Sequence, residues 1–127
     1  MASLVSSVTF DAVDPMRLAG FWTKALGYRI DGTEEGAVFL VPDGRAPGPD
    51  IDIIPVSDAK AVKNRLHLDL RAYDGSTQDE EVERLLALGA VRADVGQGPD
   101  VSWVVLADPE GNEFCVLSRS AEDAAAE

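Results

Sequence analysis

At 127 residues, with 46% apolar and 27% charged side chains, the chain has the composition of one folded globular domain, long enough to bury well over half of its unfolded surface without disulfides or metal staples. Its formal net charge of −12, from 23 acidic and 11 basic residues, repels nucleic acid and anionic membrane surfaces, and the densest basic cluster, Lys60, Lys63 and Arg65, is flanked by Asp58 and Asp69. The lone cysteine, Cys115, has no internal disulfide partner, and its place between Phe114 and Val116 marks it as a buried small hydrophobe rather than a nucleophile.

Met1 to Val8 carries neither a basic stretch nor an apolar core of the kind a secretory leader needs, and no apolar run approaches the roughly 20 residues that span a bilayer. A cytoplasmic location with no membrane or nucleic-acid partner is the expectation. Val5 to Ala12 alternates as a strand, with Val8, Phe10 and Ala12 on one face and Ser7, Thr9 and Asp11 on the other. Asp14-Pro15 then supplies a helix N-cap and a first-turn proline, and Leu18, Phe21, Trp22, Ala25 and Leu26 recur at core spacing before Gly27 ends the helix.

Two short strands follow, Tyr28 to Asp31 and Ala37 to Val41, joined by Gly32 to Gly36. Pro42 to Pro49 is dense in turn formers and reads as an exposed loop into a fourth strand, Asp50 to Val56, on which Asp50, Asp52 and Ile54 share a face. A connector leads to Leu66-His67-Leu68-Asp69-Leu70-Arg71, a strand with strict alternation that holds the only histidine. Its leucines belong to a core beneath the helices, and His67, Asp69 and Arg71 share the other face, which is either the floor of a site or a solvent-facing strand with His67 hydrogen-bonded to Asp69.

The pattern then repeats. Thr77 and Glu80 have capping-box spacing, Val82, Leu85 and Leu86 make an apolar stripe, and Leu88-Gly89 ends the helix as Leu26-Gly27 ended the first. Val91 to Val95, Val101 to Ala107 and Asn112 to Leu117 read as strands, the last two joined by the turn Asp108-Pro109-Glu110-Gly111. The end of the chain, 119–127, reads as a disordered acidic tail. The fold class is therefore α+β, with two βαβββ modules, 4–57 and 64–118, in a single domain over 1–118. Their mixed sheets form a cup with the helices on the outer face. Ser7 or Thr9 is the counterpart of His67.

The stretch Lys63 to Leu70, the turn and strand Asp108 to Val116, and the helix end Phe21-Trp22 through Leu26-Gly27-Tyr28 resemble the vicinal oxygen chelate superfamily, which includes glyoxalase I, bleomycin-resistance proteins and extradiol dioxygenases. Its glyoxalase-like domain proteins are the most similar group. The resemblance implies a small-molecule ligand, a homodimer and, in metal-using members, ligands from the first and last strands of paired modules. Carried over by position, these are His67 and Glu113, with Asp52 as third ligand and Zn, Ni, Mn or Fe as the divalent ion; Glu113 is also the catalytic carboxylate.

The first module departs from that pattern, since Ser7 and Thr9 are poor ligands. Two readings follow. A complete set supports a lyase, isomerase or dioxygenase in which the metal acts as a Lewis acid; an incomplete one leaves a metal-free binding protein of the bleomycin-resistance type. In either, Asp69, Arg71 and Trp103 are candidate substrate contacts.

Overall fold

The computed structural model describes residues 1–126. The chain divides into two compact units, Met1–Ala59 and a second that begins at Lys60. The first contains β1 (Ser7–Ala12), α1 (Pro15–Leu26), β2 (Tyr28–Glu34), β3 (Ala37–Pro42) and β4 (Asp50–Pro55). The second contains β5 (Asp69–Leu70), α2 (Gln78–Leu88), β6 (Val91–Arg92), β7 (Val104–Ala107), β8 (Glu113–Val116) and α3 (Ala121–Ala125). The two sheets share one topology, β1-β4-β3-β2 and β5-β8-β7-β6. In each, the first strand pairs parallel with the last and the other neighbours are antiparallel. The α+β class and the βαβββ repeat read from the sequence are both present.

In the first unit, Asp14 caps α1 by accepting from the Arg17 N–H at 3.2 Å. Gly27 closes it in the left-handed conformation, φ 71° and ψ 37°, with its N–H on the Thr23 carbonyl, a geometry that glycine adopts without steric cost. Leu18, Phe21, Trp22 and Ala25 of the α1 stripe are buried as the spacing predicts and Leu26 is half-buried, and Trp22 meets Phe21 and Phe10 edge to face at centroid distances of 5.0 and 5.7 Å. The β2–β3 hairpin is longer than expected. A register shift between Ile30 and Gly32 carries β2 on to Glu34, and Glu35 and Gly36, both at positive φ, make the two-residue turn that a twisted hairpin favours.

The second unit departs further from expectation. The histidine strand shrinks from six residues to Asp69–Leu70, and its leucines do not reach a core: Leu66 is 89% exposed, and Leu68 and Leu70 are half-buried. The physical reason is position. β5 is an edge strand, while the buried Phe114, Val116 and Leu106 of β8 and β7, with Val82 and Leu85 of α2, make the core without it. Alternation sorts faces but does not create a partner for them.

Two other strands shorten because side chains take their backbone groups. Past Arg92 the chain turns, with the Val95 N–H on Gln97 Oε1 and the Gly96 N–H on Asp94 Oδ1. Such local bonds compete with a ladder. Gln78 at the start of α2 donates to the Ser102 and Val116 carbonyls at 2.9 and 3.0 Å, so β7 begins only at Val104. The β7–β8 turn forms as read, with the buried Asp108 carboxylate accepting from the Glu110 and Asn112 N–H groups.

Where the sequence reads as a disordered tail, Ala121–Ala125 is the helix α3, capped by Ser120. Its start is tied down by the Ala121 N–H on the Ala72 carbonyl and the Asp74 N–H on Glu122; Glu127 lies outside the described residues. Among the described residues no helix is long and apolar enough to cross a membrane.

Candidate ligand and metal site

The second unit holds a cavity of about 430 Å³, within the usual range for small-molecule sites. Trp103, Val95, Val105 and Leu117 supply its apolar wall. Its polar groups come from the segment before β5, two strands and one turn: Lys63, Asn64 and His67 ahead of β5, Asp69 on it, Glu113 and Cys115 on β8, and Gln97 in the turn after β6. The β5–β8 pairing sets this floor. Asp69 lies opposite Cys115 in parallel register, the Leu68 carbonyl accepts from the Cys115 N–H at 2.9 Å, and the Leu70 carbonyl accepts from Leu117 at 2.8 Å.

His67 Nε2 lies 3.1 Å from Asp69 Oδ1, and both side chains are about half exposed. Cys115 is buried, directly across the parallel register from Asp69. Burial pushes the thiol above its ordinary pKa, and the charge of Asp69 adds to this against an opposing pull from Lys63. One donor atom from each of His67, Asp69 and Cys115 lies within 4.8 Å of the other two.

Glu113 is engaged differently. Its Oε1 accepts from Lys60 Nζ at 2.7 Å, and its Oε2 from the Asn64 N–H at 3.0 Å. The Asn64 side chain also donates to the Glu113 carbonyl at 3.3 Å. Burial alone raises the carboxyl pKa, but the Lys60 and backbone hydrogen bonds and the Lys60 charge outweigh it and hold Glu113 below its ordinary value. These contacts also tie the segment 60–64, just before His67, to the start of β8.

The cavity thus gathers His67, Asp69, Glu113 and Trp103 of the residues singled out in the sequence. Arg71 is outside its lining and donates to the Arg119 carbonyl at 3.0 Å, beside α3. Asp52 belongs to the first unit, on β4 between Thr9 of β1 and Phe39 of β3. Sequence reasoning missed Cys115, Lys60 and Asn64. For Cys115 a signal existed, since two residues of strand place it on the face of Glu113. Nothing local marks Lys60 and Asn64, which are 53 and 49 residues from Glu113.

Residues 7–117 match the family described as "Glyoxalase-like domain". The chain belongs to the glyoxalase-like domain family. With it, the chain belongs to the vicinal oxygen chelate superfamily. No curated protein matches the sequence. Among solved structures, this glyoxalase-like chain is similar to the fosfomycin resistance protein FosX from Listeria monocytogenes, a mutant of which was determined with Mn(II) and 1S,2S-dihydroxypropylphosphonic acid (TM-score 0.70, 18% identity, 97% of this chain and 95% of that one). FosX from Mesorhizobium loti superposes over the whole of both chains (TM-score 0.69, 16% identity, 100% and 100%). A glyoxalase/bleomycin resistance/dioxygenase family enzyme from Burkholderia phytofirmans PsJN covers 90% of this chain and 97% of its own (TM-score 0.62, 20% identity). At these identities the likeness is one of fold.

Proposed function

We propose that this glyoxalase-like protein binds a small organic molecule with an apolar or aromatic body and a polar end, in the cavity floored by His67. The observation that carries the reading is the cavity itself: an apolar wall around Trp103 facing hydrogen-bonding groups on His67, Asp69 and Gln97, the mixture by which small-molecule sites orient a ligand. Asp69 and Trp103 are ligand contacts in this reading, and Arg71 serves the α3 junction instead. The test is calorimetric titration with a panel of small aromatic and aliphatic acids, amides and diols. Saturable binding that Trp103→Ala abolishes is expected; heats unchanged in that variant would place binding elsewhere. Trp103 is partly exposed, so its truncation leaves the core intact.

A second reading, a divalent-metal-dependent lyase, isomerase or dioxygenase, draws support from the Mn(II) in the FosX complex and from the donors grouped around His67. The set of His67, Glu113 and Asp52 does not fit it well. Both Glu113 oxygens are already bonded, one to an ammonium at 2.7 Å, so a metal would have to displace a cation held in place by hydrogen bonds. The same contacts weaken Glu113 as a general base, because a carboxylate whose pKa is held down has little affinity for a substrate proton. We also propose a homodimer, supported by exposed apolar side chains such as Val62 and Leu66; sizing chromatography distinguishes one copy from two.

A further inference from the structure

We propose that His67, Asp69 and Cys115 form a binding site for a thiophilic divalent ion, Zn(II) first among them, distinct from the set that includes Glu113. The assignment goes beyond ligand binding in the cavity and does not depend on which molecule enters it. Three different donor types converge: an imidazole nitrogen, a carboxylate oxygen and a thiol sulfur, one atom of each within 4.8 Å of the others. Zn(II) takes nitrogen and oxygen at about 2.0–2.2 Å and sulfur at about 2.3 Å. Ligand atoms of such a tetrahedron stand about 3.3–3.8 Å apart, so closing the site takes about 1 Å of movement. His67 Nε2 and Asp69 Oδ1 are already 3.1 Å apart, and both side chains are about half exposed, with room to adjust over the buried sulfur.

The backbone beneath is well suited to hold such a site. Asp69 and Cys115 are register partners, and hydrogen bonds from the Cys115 and Leu117 N–H groups to Leu68 and Leu70 lock the two strands together through the donors. Asp69 and Cys115 therefore keep their geometry as ligands on paired strands, while His67 reaches them from the irregular segment just before β5. Cys115 and His67 also line the cavity, so a three-ligand ion there keeps a position for water or a ligand atom, as open zinc sites do.

The binding step balances simply. The Cys115 S–H bond breaks, a sulfur–metal bond forms and one proton passes to solvent; an imidazole nitrogen of His67 and a carboxylate oxygen of Asp69 donate lone pairs, and nothing is oxidised or reduced. Thiolate and imidazole together favour Zn(II) or Co(II) over Mn(II), which prefers oxygen. The preference therefore differs from the metal seen in the FosX complex.

The test is titration of chelator-treated, full-length protein with Co(II) and then Zn(II), followed by absorption. We expect one equivalent of Co(II) to bind with a sulfur-to-cobalt charge-transfer band that Zn(II) displaces. Cys115→Ser abolishes the band and weakens Zn(II) binding by more than about 100-fold, beyond what loss of an outer-shell partner costs. Because Cys115 is buried, His67→Ala is the second variant: its exposed side chain leaves the core untouched, and Zn(II) binding weakens comparably. Glu113→Gln retains the thiolate band, because Glu113 supplies no ligand to this site. No binding by the wild type, or binding without the thiolate band that Glu113→Gln abolishes, overturns the assignment. Either result leaves the ligand titration on Trp103 to be judged by itself.

Discussion

Replacing Lys60 with Met removes the ammonium from Glu113 while keeping the length and apolar stem of the side chain. The magnitude follows from burial. Exposed ion pairs contribute about 0–1 kcal/mol, and removing one partner of a buried pair costs about 3–5 kcal/mol. Here the partners are 20% and 15% exposed and 2.7 Å apart, nearer the buried limit, but Glu113 keeps its bond from the Asn64 N–H. The cost should be about 2 kcal/mol. Urea unfolding of wild type, Lys60→Met, Glu113→Gln and the double variant measures it, with a coupling of about 1–2 kcal/mol expected between the two sites. A Lys60→Met protein within about 0.5 kcal/mol of wild type, or a cycle without coupling, would show that the segment before His67 is held by something other than this clasp.

Glu113 also predicts an acid dependence. Its folded pKa lies below the ordinary 4.5, so its ionised form contributes stability above that value, and the contribution is lost as pH falls from there through the folded pKa. Wild type should lose its stability advantage over Glu113→Gln in acid unfolding below about pH 4.5; a constant difference down to strong acid would refute the sign. In the first unit, Trp22→Ala should cost about 3–5 kcal/mol, read by thermal or urea unfolding, because Trp22 is fully buried against Phe10 and Phe21. Gly48→Ala should destabilise by about 1–3 kcal/mol, since Gly48 has φ 129° and an added Cβ would collide with the Tyr28 hydroxyl, which donates to the Pro49 carbonyl at 2.7 Å. A neutral result would mean that the 43–49 loop yields freely.

Elements whose signals are local were legible in the sequence. Asp14 and Gly27 bracket α1, Thr77 and Glu80 make both bonds of their capping box, and Asp108 organises the last hairpin turn. Each of these depends on atoms a few residues apart, so neighbouring side chains suffice to specify them. The repeat was legible for the same reason, since two similar runs of local signals produce the same strand order twice.

The extent of the histidine strand was not legible. Leu66, Leu68 and Leu70 alternate as a buried strand does, yet the strand forms only at Asp69–Leu70 and Leu66, ahead of it, stands in solvent. The site divides along the same line. Period-2 alternation in the sequence put His67 with Asp69 on one face, because in a strand the facing of a side chain is a property of its own neighbours, whereas Glu113 was singled out only by position in the superfamily it resembles. Only the tertiary structure decided what each would meet: Lys60 and Asn64 arrive at Glu113 from about fifty residues away, and the parallel β5–β8 register sets Cys115 against Asp69. Those partners are chosen by how distant strands align. No short stretch of sequence encodes that alignment, whereas the folded sheet fixes it through hydrogen bonds along its whole length.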